Sequence, residues 1–336
     1  MRIFEFLSEN SYLMLPSSKN PKVILLVDNP SLAEQSFKLY NPFSIKARVL
    51  KKIVKFNLIY FNRCFKLLFA QKRERSKFVS FLEKELNQKV LVSLYSATNQ
   101  NKVVLQLQTT KAEIIGYLKY PLNDFGAKYI QNEIVAINTL SKKGVTRPYI
   151  LSKIYNKRVF LLLSKVDGDI TKIDREILDD ILVKFKREDS FYLSMHPRIK
   201  GIKERLIEQN LKQYIHLIDR VVLSSTKREY QLVYEHGDFT PWNIIKEEDR
   251  YTPFDFEYFV EDGLEYFDLL KYYYQIGKLL KLKKGIELIE YIYKEVEIDE
   301  FKILLSLFLL KEMALIKEEG NSFKFEENLL TLLKDT

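Results

Sequence analysis

Tyr234-Glu-His-Gly-Asp-Phe-Thr-Pro-Trp-Asn-Ile-Ile245 is the stretch around which the rest of this 336-residue chain is arranged. An apolar run, Leu232 to Tyr234, leads into His236-Gly237-Asp238, and a second apolar pair, Ile244-Ile245, follows Asn243. Twelve positions beyond Asn243 stands Asp255, inside Thr252-Pro-Phe-Asp-Phe-Glu257. This is the H-x-D-x-x-x-x-N spacing, followed by a second Asp, that phosphoryl transfer on the kinase plan uses. The residue types suit that chemistry. An acceptor hydroxyl needs a carboxylate within hydrogen-bond reach to orient it and take its proton, and Asp238 is the candidate. Mg²⁺ is a hard cation that prefers oxygen ligands, and the Asn243 amide oxygen and Asp255 carboxylate supply two, with ATP phosphates completing the shell. A lone His-x-Asp is often just a turn. Three polar residues at matching intervals, with an Asp-x-Glu downstream, are much harder to obtain by chance.

At these residues the sequence resembles a known group. His236-Gly-Asp-Phe-Thr-Pro-Trp-Asn-Ile244, followed by Phe254-Asp-Phe-Glu257, is similar to the aminoglycoside phosphotransferases and choline kinases, small-molecule relatives of the protein kinases. That group has Gly where protein kinases have Arg after the His, and Asp-x-Glu or Asp-x-Asp where they have Asp-Phe-Gly. Gly237 and Glu257 fit it. The resemblance implies that Asp238 is the catalytic base and that Asn243 and Asp255 are metal ligands. His236 then braces the catalytic loop, and ATP and Mg²⁺ are the cofactors. It also implies that Asp268 ties down the catalytic-loop backbone, a role compatible with an acid at a helix start. Glu257 is read equally as a metal ligand or as a solvent-facing acid. The implied fold is α+β: a two-lobed protein kinase-like fold, with an antiparallel sheet and one helix in the small lobe and a large, mostly helical lobe.

The pattern upstream is consistent with a small lobe. Val90–Tyr95 and Val103–Gln108 alternate like strands and flank the polar tip Ser96–Asn101, as a hairpin should. In the kinase plan such a hairpin covers the ATP phosphates, which makes Ser96 and Thr98 candidate nucleotide contacts. No glycine occurs before Gly116, so the Gly-rich loop of the protein kinases is missing. A third strand, Ile114–Tyr120, carries Lys119, and the helix expected over Ala127–Leu140 carries Glu133. Paired, they would hold the α- and β-phosphates. Lys128 and Lys102 are the alternatives. Arg147–Leu151 and Arg158–Leu163 are expected to complete the sheet. The family has its adenine-binding hinge at Ser164-Lys-Val-Asp-Gly168, making Ser164 and Val166 candidates through their backbones.

Composition sets the outer limits. The chain is 46% hydrophobic, enough for two lobes and an extra piece, with expected divisions at 1–88, 89–166 and 167–336. One cysteine, Cys64, excludes an internal disulfide framework and fits a reducing cytoplasm. Glu5 interrupts the first apolar run, which does not read as a signal peptide. No stretch of 18 apolar residues suggests a membrane-spanning helix. His196 and His216 lack ligating neighbours and read as packing or surface residues. Helices are expected over 174–186, 202–222, 286–296, 301–316 and 325–333.

The net charge of +9 is concentrated. Residues 46–77 hold eleven Lys and Arg against a single acid, Glu74. No nucleic-acid motif accompanies them, so no nucleic-acid partner is expected. Ile45, Val49, Ile53 and Phe56 fall near one helical face, with Arg48, Lys51, Lys52 and Lys55 between them. The favoured reading has this apolar face packed on the rest of the protein. The sharper one is attachment to an anionic membrane surface, at the inner membrane face, or to an acidic partner.

The sequence therefore points to an ATP- and Mg²⁺-dependent kinase that phosphorylates a hydroxyl of a small molecule, with a sugar or glycan precursor as the first expectation. Phe239 and Trp242 would suit a sugar ring or an aliphatic cation, or would simply pack. The alternatives are an inactive kinase-like ATP-binding scaffold and a membrane-associated accessory protein.

Overall fold

The computed structural model describes residues 3–39, 45–96, 101–170, 173–225 and 228–335. It divides into two compact units, Met1–Ile134 with Arg147–Val166, and Val135–Thr146 with Asp167–Thr336.

The first unit is built on an antiparallel sheet of eight strands among the described residues, in the order β3-β1-β2-β4-β5-β6-β8-β7. In chain order these are β1 (Ser11–Leu15), β2 (Val23–Leu26), β3 (Gln71–Lys72), β4 (Leu91–Ser96), β5 (Lys102–Gln108), β6 (Ile114–Pro121), β7 (Leu151–Tyr155) and β8 (Arg158–Ser164). The helices are α1 (Pro30–Ser36), α2 (Ile45–Tyr60), α3 (Asn62–Phe69), α4 (Lys77–Leu86) and, as far as Ile134, α5 (Asp124–Leu140).

Why β2 reads as an unbroken apolar run is visible in its packing. Ile24 and Leu26 join a core with Phe6, Phe78, Leu82, Tyr120 and Phe160 on one side of the sheet. Val23, Leu25 and Val27 join a second core with Ala33, Phe37 and Leu58 on the other. Alternate side chains of a strand point to opposite faces, so a strand covered on both sides is apolar throughout. Strands β1 and β2 and helix α4 thus share the sheet and its core with the strands that follow, β2 pairing with β4 at Ile24↔Leu94.

Two sequence expectations shift here. The strand expected over 147–151 begins instead at Leu151 and runs to Tyr155. Asn156 and Lys157, at φ 46° and 63°, form the two-residue turn into β8. Hairpin turns of this kind need positive φ at both central residues, and Asn tolerates it. The apolar face of α2 is not packed as favoured. Val49, Ile53 and Phe56 are exposed, and the side that packs carries Val54 and Leu58. The Ile45 side chain lies outside the described ones.

The second unit contains α6 (Arg175–Val183), β9 (Lys186–Tyr192), α7 (Pro197–Glu208), α8 (Ile215–Leu223), β10 (Glu229–Glu235), β11 (Ile244–Glu247), β12 (Arg250–Pro253), β13 (Val260–Leu264), α9 (Phe267–Gln275), α10 (Gly285–Val296), α11 (Phe301–Glu318) and α12 (Lys324–Asp335). Strands β13, β10 and β9 form one sheet, and β11 with β12 a separate hairpin. The helix expected over 174–186 stops at Val183, and β9 follows as an edge strand. Its Lys-Arg-Glu-Asp string looks helical by charge, but charged side chains also guard an exposed sheet edge. Leu304–Leu310, apolar on nearly all sides, is buried within α11. Among the described residues no helix is long and apolar enough to cross a membrane.

Candidate active site

Strand β10 carries the chain into the signature loop, and Gly237 turns it. Its φ is +81°, a conformation that L side chains rarely adopt. A Cβ there would also lie 2.4 Å from the Tyr258 carbonyl oxygen. Both constraints explain glycine at this position. Asp268 then clamps the turn from α9: its carboxylate accepts the His236 N–H at 2.7 Å and the Gly237 N–H at 3.0 Å. Burial and the neighbouring Glu235 push the Asp268 carboxyl up to about 7, against the pull of those two donors and of Lys311.

His236 is fully buried with both ring nitrogens engaged. Nε2–H donates to the Phe254 carbonyl at 3.0 Å, and Nδ1 accepts the Asp238 N–H at 3.3 Å. That pattern requires the neutral ring, and burial holds its pKa below the ordinary histidine value. Phe239, fully buried, packs its ring against His236, Phe185 and Tyr272. It is a packing residue, whereas Trp242 is half-buried.

Asp238 is the polar tip of the loop, its side chain about a quarter exposed, at 27%. The Asn243 amide nitrogen donates to its carboxylate Oδ2 at 3.0 Å and to its carbonyl at 2.9 Å. With the amide N–H groups spent on Asp238, the side-chain oxygen Oδ1 is the atom of the Asn243 amide with lone pairs to offer. Asn243 and Asp255 come to one end of the β11–β12 hairpin. Ile244 pairs with Pro253, and the Phe254 N–H donates to the Asn243 backbone carbonyl at 3.0 Å. Asp255 sits at φ +68°, a conformation that costs a non-glycine residue about 1 kcal/mol or more. Ligand oxygens of Asp255 and Glu257 lie within 4.8 Å of each other. Carboxylate and amide oxygens are the hard donors that Mg²⁺ prefers, and the Asp255 and Glu257 carboxylates, with the Asn243 side chain at the same end of the hairpin, are of that kind.

Sequence reasoning missed Lys271. It projects from α9 and is buried, with Nζ 3.4 Å from Asp238 Oδ1 and 2.7 Å from Glu312 Oε2. Burial opposes its charge, but Glu312 and Asp238 outweigh that and raise its pKa above the ordinary lysine value. Behind it runs an alternating line of buried charges. Lys311 contacts Glu312 at 3.0 Å and Glu235 at 3.1 Å, and Arg198 contacts Glu235 at 2.8 Å. The available signal was a cation inside Leu269-Leu-Lys-Tyr-Tyr-Tyr274 and a Lys-Glu pair ending the apolar run of α11. Charges embedded among apolar residues are rarely buried unless paired.

In the first unit, Lys119 on β6 and Glu133 on α5 form a buried ion pair, with Nζ 2.7 and 2.8 Å from the two carboxylate oxygens. Ser96 is buried at the end of β4, and its N–H is committed to the Lys22 carbonyl at 2.8 Å. Thr98 lies outside the described residues. Ser164, half-buried, pairs with Gly116 across β6 and β8, and Val166 follows that strand. His196 is buried and caps α7, its Nδ1 accepting the Arg198 N–H, and His216 is exposed.

No family model matches the sequence, and neither does any curated protein. Solved structures do match. A thermostable mutant of aminoglycoside phosphotransferase APH(4)-Ia, in ternary complex with ADP and hygromycin B, superposes at TM-score 0.52 with 8% identity. The match covers 77% of this chain and 98% of that one. Choline kinase from Cryptosporidium parvum gives 0.46 at 10% identity over 73% of this chain and 88% of that one. ADP-bound aminoglycoside phosphotransferase APH(2'')-Ib gives 0.44 at 13% identity over 76% and 95%. The first likeness carries the fold alone, which is two-lobed and protein kinase-like.

Proposed function

We propose that this protein is an ATP- and Mg²⁺-dependent kinase that phosphorylates a hydroxyl of a small molecule. The observation that carries this reading is the loop itself. Asp238 keeps a partly exposed carboxylate between the Asn243 amide and the Lys271 ammonium, while Asn243 and Asp255 share one end of a hairpin. Asn243 and Asp255, with Glu257 beside them, would hold Mg²⁺, which neutralises phosphate charge when bound. Asp238 orients the acceptor hydroxyl and takes its proton as the acceptor oxygen bonds to the γ-phosphorus and the bond to the ADP oxygen breaks. Asp238 is thus the catalytic residue, and His236 positions it. Lys119, fixed by Glu133, is assigned to the ATP phosphates, and the backbone at Ser164 and Val166 to adenine. A sugar or glycan precursor is the proposed acceptor class. An anionic membrane surface, met through residues 46–77, is the second partner. The location on this reading is cytoplasmic, at a membrane face, where the single exposed cysteine stays reduced.

The test is Mg²⁺-dependent release of ADP from ATP with pooled hydroxylated metabolites, comparing wild type with Asp238→Asn. Wild type should release ADP, and the variant should fall at least about 100-fold below it. Equal release from both would overturn the assignment of Asp238. ATP-dependent thermal stabilisation without any release would favour a nucleotide-binding scaffold.

A further inference from the structure

We propose that α2 and α3 present an apolar ridge that inserts into the surface of an anionic lipid bilayer, with flanking cations held at the headgroups. This assigns the side chains behind the membrane contact of the proposed reading, and it does not depend on phosphoryl transfer.

The ridge follows from helix geometry. Val54 and Leu58 mark the side of α2 that packs on the sheet. With 3.6 residues per turn, Val49, Ile53, Phe56 and Tyr60 fall on the opposite side. Their exposures are 51%, 54%, 53% and 70%. Across the junction, Phe61 is 56% exposed, and Leu67 and Leu68 on α3 reach 86% and 73%. Phe56 touches the rings of Tyr60 and Phe61, with centroids 4.7 and 6.3 Å apart, so the aromatic groups cluster on the solvent side. Scattered exposed apolar residues are ordinary, but this many on two successive helices, three of them joined through the Phe56 ring, mark a contact surface.

The surrounding charge selects the partner. Lys52 and Arg63 are exposed beside the ridge, and residues 46–77 contain one acid. Lys55 and Lys66 are spent within the unit, on Glu34 and on the Asp28 carbonyl. A second copy meeting this surface through a two-fold axis would bring like charges together. An anionic bilayer meets both features, taking the apolar and aromatic groups at its interface and the cations at its headgroups. The helices are too short and too charged to span, so they lie in the plane of the surface.

Sedimentation of the full-length protein with vesicles tests this. Wild type should co-sediment with phosphatidylcholine vesicles enriched in phosphatidylserine, and at least about tenfold more weakly with phosphatidylcholine alone. The exposed triple variant Phe56→Ser, Leu67→Ser, Leu68→Ser should keep the wild-type unfolding midpoint and lose at least about tenfold in vesicle affinity. Persistent, salt-sensitive binding by the triple variant would mean charge alone makes the contact, overturning the ridge. No binding by wild type would overturn the membrane partner as well. A wild-type oligomer, by light scattering, that the triple variant dissolves would reassign the ridge to a subunit interface.

Discussion

Lys271 is worth most at the scale of single residues, because it joins the loop chemistry to the interior. Lys271→Met would leave Glu312 with Lys311 alone and remove the cation beside Asp238. Breaking a buried pair from one side costs about 3–5 kcal/mol, which denaturant unfolding should register. Adding Glu312→Gln removes the stranded charge and should recover more than half of that loss. ADP release from the double variant should nonetheless stay at least about tenfold below wild type. Recovery of turnover together with stability would reduce Lys271 to a structural role. His196 supports a different prediction. Burial lowers its pKa from the usual 6.5 to about 4. The unfolded chain therefore binds this proton first as pH falls below about 6.5, and the folded state loses stability down to about pH 4. His196→Asn keeps a good helix cap without the titration. Its unfolding midpoint should decline less steeply than that of wild type between pH 6.5 and 4. Equal slopes would show that His196 is not held neutral.

Among the elements, the β10-to-β11 loop depends most on one backbone shape. Gly237→Ala would have to tolerate φ +81° and a Cβ 2.4 Å from the Tyr258 carbonyl. We expect a loss of about 3 kcal/mol or more in denaturant unfolding, with ADP release falling along with it. A variant of wild-type stability would mean that the loop can re-form around a Cβ. The loop's polar residues were legible because chemistry dictates their spacing. The clamp on its backbone was reached only through the family resemblance, since an Asp at a helix start looks the same whether it caps its own helix or another segment. Strand β9 was misread for a related reason. A short charged string satisfies a solvated helix and a guarded edge strand equally, and only pairing with β10 distinguishes them.

For the whole molecule, the informative region is residues 1–88. Phe6, Tyr12, Ile24, Leu26, Phe78, Val79 and Leu82 belong to the same core as Leu105, Leu118 and Phe160. A chain beginning at residue 89 would lose those side chains and bare the edge of β4 where β2 pairs. We expect it to lack a cooperative thermal transition and to aggregate, as followed by circular dichroism and light scattering. A soluble, cooperatively melting fragment would mean that the later strands hold together without the earlier ones.

The spacing of Asp238, Asn243 and Asp255, the β4–β5 hairpin and the Lys119–Glu133 pairing were all available from the residues in order. Each is a local pattern, or a short-range chemical requirement that few sequences meet by accident. What the tertiary structure decided depends on which surfaces meet. A helix with apolar and basic residues interleaved does not announce which side is buried, and packing against the sheet chose Val54 and Leu58 over Val49, Ile53 and Phe56. A lysine in an apolar run gives no partner, and only the approach of α9 to α11 and the signature loop joins Lys271 to Glu312 and Asp238. Charge–charge contacts act over a few ångströms in space whatever their separation along the chain, so they become readable only once the chain has folded.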